Sequence, residues 1–157
     1  MEVLILVCLI LLNGAFAMTE VALLTARQSK LATLAQRGDK LAAAAVKLSA
    51  EPTRFLSTVQ IGITAIGLLN GIVGEAVFAE PFATWLQQQG LELKPSRFFA
   101  TLVVVACITC LTIVIGEIVP KRLGQHSAEN IARLVAWPLR ALAWITAPFV
   151  YLLTIST

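Results

Sequence analysis

The sequence predicts an all-α membrane protein with three transmembrane helices and amphipathic helices beside them. Three observations carry this. Hydrophobic residues make up 58% of the 157 and charged residues only 13%, where a soluble domain carries about a quarter charged. Three apolar runs, about 3–24, 55–78 and 98–119, are each long enough to cross a bilayer. The twelve Lys and Arg residues lie between or just past these runs and form no basic patch with aromatics, which argues against a nucleic-acid partner. The length suits one domain.

The first run could pass for a signal peptide, but Glu2 stands where a basic leader is expected and the run continues past Asn13 and Glu20 to Leu24. It reads as a retained span. Residues 25–52 are alanine-rich with regularly spaced charges, and Leu31, Leu34, Ala35 and Leu41 give them one apolar face. That pattern predicts an amphipathic helix on the membrane surface. Pro52 suits the first turn of the next helix.

In the second span Gln60, Thr64, Gly67, Gly71 and Gly74 fall on one stripe at helical spacing, with Thr58 and Gly62 on the other side. Small residues in a stripe let helices approach closely in lipid; loosened carbonyls lining an ion path are the sharper reading. A polar connection is expected from Glu80-Pro81 to Ser96-Arg97, with Gln87 to Gly90 at its tip. After the third span, residues 124–155 contain Arg133, Pro138, Arg140 and Pro148, with Trp137 and Trp144. Two prolines and two arginines favour bent interfacial helices over a fourth crossing, although that crossing stays open. The chain stops just after an apolar run, which reads as a fragment of a longer protein.

Six Lys and Arg residues lie in the first connection, two in the second and four after the third span. Basic residues stay on the cytoplasmic side, so the N-terminus is expected outside and the C-terminus inside. Cys8, Cys107 and Cys110 sit within apolar runs and read as small buried residues. No nucleophile triad, nucleotide loop or zinc motif is present in the sequence, so enzyme chemistry is not expected.

The most informative stretch is Gly116-Glu117-Ile118-Val119-Pro120-Lys121, at the end of the third run. Pro120 has no N–H, so in a helix the Gly116 carbonyl loses its donor four residues on, and Pro120 becomes a hinge. A free carbonyl beside the Glu117 carboxylate at membrane depth suits a small hard cation such as Mg²⁺. No Lys or Arg lies deep in a span, and Lys121 can snorkel to the surface, so a metal ion is the expected counter-charge. A protonated Glu117 bonded to another helix is the alternative. Asn13 and Glu20 share a face of the first helix. Asn13, Thr19, Glu20 and Thr58 are further candidate oxygen ligands, and His126 reads as a surface residue.

Three segments carry a family resemblance: residues 13–23 (NGAFAMTEVAL), residues 55–64 (FLSTVQIGIT) and the Gly116–Lys121 stretch. In order, they resemble the signatures of the CorC/CNNM (cyclin M) transmembrane domain, over essentially the whole chain. Thr19 stands where bacterial members often have Ser, keeping the hydroxyl. The resemblance implies a homodimeric Mg²⁺ transporter of the bacterial inner membrane, exporting Mg²⁺ in proposed exchange for Na⁺. It implies three spans with a belt of juxtamembrane helices, and CBS-type cytoplasmic modules, absent from this sequence, that bind ATP. It also implies a dehydrated Mg²⁺ held by the second and third spans with help from the first, carried here onto Glu117 and Gly116 and more weakly onto Asn13, Thr19 and Thr58. A Mg²⁺ sensor that signals without transport, and a membrane anchor that only packs, are the rival readings.

Overall fold

The computed structural model describes residues 1–139 and 141, and the described residues are almost wholly helical. Helix α1 (Glu2–Thr25) is followed by two short helices, α2 (Gln28–Gln36) and α3 (Lys40–Ala50). Then come the long α4 (Pro52–Gln88) and a third long rod made of α5 (Leu93–Ile113), a π-helical turn (Val114–Ile118) and α6 (Val119–His126). Residues 128–139 are helical as well. Three rods are long and apolar enough to cross a membrane: Glu2–Thr25, Phe55–Gln88 and Leu93–His126. The part of the expected interfacial stretch that holds Arg140, Trp144 and Pro148, and the fourth crossing weighed against it, lie outside the described residues.

The surface segment at 25–52 is two helices and not one. Gly38, with φ +93°, ends α2 in a left-handed turn, closed by Asp39 N–H donating to the Leu34 carbonyl. Asp39 then caps α3, accepting at Oδ1 from Leu41 N (2.9 Å) and Ala42 N (3.1 Å). Helix α4 runs ten residues past the expected end of its span, because Pro81 is exposed and the carbonyl it deprives of a donor can face water. The polar connection therefore shrinks to the tight turn around Gly90 (φ +99°).

Close contacts fix the directions of the rods. A Cβ at Gly62 of α4 would meet the Phe16 ring of α1, and one at Gly74 would meet Ile108 of α5. A Cβ at Gly14 of α1 would lie 2.9 Å from Pro120, and one at Gly124 would lie 2.6 Å from the Met18 carbonyl oxygen. Helix α1 and the third rod thus run parallel, with α4 antiparallel to both, as three successive crossings require.

Two apolar clusters hold this arrangement. Leu6, Ile10, Val104 and Ile108 join the rods at one end. At the other end Leu23, Leu31, Ala42, Ala45, Phe55, Val59, Ala132 and Leu139 join α2, α3 and residues 128–139 to the feet of α1 and α4. The alanines let these short helices pack closely into a belt. Ion pairs reinforce it: Arg133 with Asp39, and Lys30 with Glu129 at 3.6 Å. Leu4, Leu11, Leu68, Ile72, Phe98 and Leu102 are exposed on the rods, the surface a bilayer would cover.

Candidate functional site

The site forms where the third rod changes pitch. Val119 N–H donates to the Val114 carbonyl five residues back, the bond of a π turn, and such turns concentrate at functional positions. Gly116 and Glu117 lie inside it, and Pro120 follows. Glycine at 116 lets α1 pass closely, since a Cβ there would come within 3.1 Å of the Ile10 carbonyl oxygen.

The Gly116 carbonyl expected to be free has a partner. Asn13 Nδ2 donates to it at 3.0 Å in a buried contact. A carbonyl only accepts, so the amide orientation is fixed and Asn13 Oδ1 is the atom left over, buried and unpaired among the described residues. Pro120 packs on Gly14, so a hinge motion there would have to slide α1 as well.

Lys121, expected to snorkel away from Glu117, is paired instead: its Nζ donates to Glu117 Oε1 at 2.7 Å and lies 3.6 Å from Glu20 Oε2. Two carboxylates on adjacent rods share one ammonium. The Glu20 side chain is 19% exposed and that of Glu117 39%, so both sit at the edge of the packed interior. Among the described residues no cluster of three His, Cys, Asp or Glu stands close enough to hold a metal. A cation entering between Glu20 and Glu117 would displace the Lys121 ammonium.

Thr19 is buried, but its Oγ1 donates to the Ala15 carbonyl of its own helix at 2.6 Å. Thr58 is fully buried at the foot of α4. The stripe on α4 divides. Gln60, Thr64 and Gly67 are exposed, and Gly67 and Gly71 have open space where a Cβ would stand, whereas Gly74 is covered by Ile108. That stripe looks outward and does not line a path between the three rods. Gly62 and Gly74 serve packing within the chain. Cys8, Cys107 and Cys110 are free and exposed on the rods, not buried as expected, and His126 is exposed.

Asn70 stands apart from the residues the sequence singles out: it is 1% exposed with neither amide atom partnered, and Thr112, a polar group of the third span, has an unpaired buried hydroxyl, among the described residues. A lone Asn in an apolar span costs free energy unless something pairs with it, a signal already present in the sequence. At the end of the bundle away from the belt, a cavity of about 270 Å³ is lined by Glu75, Glu80, Arg97 and Thr101 among others. There Thr101 Oγ1 donates to Glu75 Oε1 at 3.3 Å, and Arg97 pairs with Glu80 at 3.3 Å.

The cyclin M transmembrane N-terminal domain model matches residues 4–157. The chain belongs to the cyclin M transmembrane-domain family. It is 42% identical over its full length to UPF0053 protein sll0260 of Synechocystis sp., covering 35% of that protein. Over 96% of its length it is 30% identical to the polyamine export protein of Escherichia coli K12, covering 33% of it. Over 92% of its length it is 31% identical to UPF0053 protein YhdT of Bacillus subtilis, covering 32%. The chain thus spans about a third of the length of the curated relatives it matches. The relatives' extra length is consistent with the additional cytoplasmic domains expected of this family.

Proposed function

We propose that this cyclin M domain transports Mg²⁺ across the membrane, outward, through a dehydrated site between its spans. The observation that carries the reading is the convergence of Glu20 and Glu117 on a single ammonium beside the π turn. The two carboxylates, with the buried threonines Thr19 and Thr58 as further candidate oxygens, offer oxygen ligands only. Such a set suits a hard cation that dehydrates reluctantly, provided the oxygens are pre-placed. Lys121 holds the carboxylates together when no ion is bound, and the arriving ion takes its place. Transport needs no enzymatic step. The basic belt faces the cytoplasm in this reading, and the outward stripe of Gln60, Thr64, Gly67 and Gly71 is free to meet a second copy.

A second reading has its own support. The group that already occupies the carboxylate pair is a primary alkylammonium, which is also the head of a polyamine, and the Escherichia coli relative is named a polyamine export protein. Efflux from proteoliposomes carrying the full-length protein decides between the cargoes. Mg²⁺ release that is blocked by Glu117→Gln supports the first, and its dependence on external Na⁺ tests coupling. Spermidine release without Mg²⁺ release supports the second. Mg²⁺ binding without any flux supports a sensor.

A further inference from the structure

Among the described residues, each of the three rods holds a buried, unpaired polar atom, and the three lie within about one turn of one another in depth: Asn13 Oδ1 on α1, the Asn70 amide on α4 and Thr112 Oγ1 on α5. The register sets this depth. Ile10 and Ile108 share one cluster, and Asn13 lies about one turn beyond Ile10 on α1. Thr112 lies one turn beyond Ile108 and one turn before Gly116, which is bonded to Asn13. Gly74 rests against Ile108, and α4 is antiparallel, so one turn back to Asn70 reaches the depth of Thr112.

Thr112 stands out among the threonines. Thr19, Thr25, Thr33 and Thr84 all donate to the carbonyl four residues back in their own helices, as a helical threonine does when nothing better is offered. Thr112 does not. An unpaired amide 1% exposed inside an apolar bundle is costly, so these groups have a partner that is not a side chain of the described residues.

We propose that Asn70, Thr112 and the Asn13 side-chain oxygen form a second, uncharged station for the transported cation, on the side of Glu117 away from the belt. This rests on the reading that the protein moves a cation between its spans. Neutral oxygens replace part of a hydration shell without holding the ion as a carboxylate does, and an ion that must leave again needs such weaker sites. Farther along the same two helices, five residues past Asn70, lies Glu75 with Thr101 at the polar cavity. The stations thus run from Glu117 through the neutral layer toward the far side.

The test uses the full-length protein in proteoliposomes, with Mg²⁺ as the probe, and reads flux together with Mg²⁺-dependent thermal stabilisation. Asn70→Leu and Thr112→Val remove the oxygens with little change of volume. Both are expected to keep the stabilisation by Mg²⁺, which Glu117 supplies, while flux falls about tenfold or more. Asn70→Ser, which restores a neutral oxygen, recovers part of the flux. Flux within about twofold of wild type in both variants overturns the station and leaves the Glu117 site standing. Loss of stabilisation and flux together in both variants also overturns it, since the two residues then serve packing or the Glu117 site. Unchanged flux with an ordered water bridging Asn70 and Thr112 identifies a buried water in its place. A wild type that Mg²⁺ neither stabilises nor crosses removes the cation reading and the station with it.

Discussion

Gly124→Ala tests the packing that positions Glu117. The new Cβ would stand 2.6 Å from the Met18 carbonyl oxygen. That neighbour is backbone, so no side chain can rotate away, and α1 must move from α6 by several tenths of an ångström. A gap of about 0.5–1 Å forfeits a quarter to a half of the dispersion energy of the atoms lining it, and overpacking of this kind costs about 1–3 kcal/mol. For a chain of this size that is a drop in Tm of roughly 2–12 °C. Gly67→Ala is the control, with nothing within 4 Å of its Cβ; it should leave Tm unchanged or raise it, since alanine favours a helix by up to about 1 kcal/mol. The assay is thermal unfolding of the purified protein in lipid nanodiscs. If Gly124→Ala melts with wild type, α1 and α6 do not pack as described.

Asn13→Ala removes the donor to Gly116 and leaves that carbonyl buried, so it should cost about 1–3 kcal/mol of stability, read in the same melt. Lys121→Met removes the resident ammonium; Mg²⁺ should then bind more tightly by calorimetry, while the apo protein melts earlier because two carboxylates lose their partner. Asp39 has its pKa lowered, first by the hydrogen bond from Ala42 N–H and further by the Arg133 charge, against opposing desolvation. Its folded pKa lies below its unfolded one, so its contribution is complete above about pH 4 and lost as pH falls through the folded value. The hydrogen-exchange protection of Leu41 and Ala42, relative to the unstructured-chain rate at each pH, should therefore fall at low pH in wild type but not in Asp39→Ala, where the cap is already gone.

The three rods were legible because a bilayer demands long apolar runs and little else in the sequence produces them. The chemistry of Pro120 likewise marks the place where the third rod changes pitch, at Gly116 and Glu117. The partner of the Gly116 carbonyl was not legible: a lost N–H shows that a carbonyl needs a donor, but only the parallel packing of α1 shows that Asn13 provides it. The place of Lys121 is hidden for a similar reason. Snorkelling considers one lysine stem against lipid, whereas two carboxylates on neighbouring rods hold the ammonium at the edge of the packed interior. A helical wheel grouped Gln60, Thr64, Gly67 and Gly71 correctly, but placed Gly74 with them at the margin of the stripe, where the contact with Ile108 turns it inward. Asn70 was passed over although its burial requires a partner that periodicity does not name.

Mg²⁺ efflux from proteoliposomes, measured side by side for wild type and Glu117→Gln with Lys121 intact, meets the main proposal head-on. The amide keeps the shape and removes the charge. The account predicts steady Mg²⁺ release from wild type and none above empty liposomes from the variant; equal release from both would contradict it.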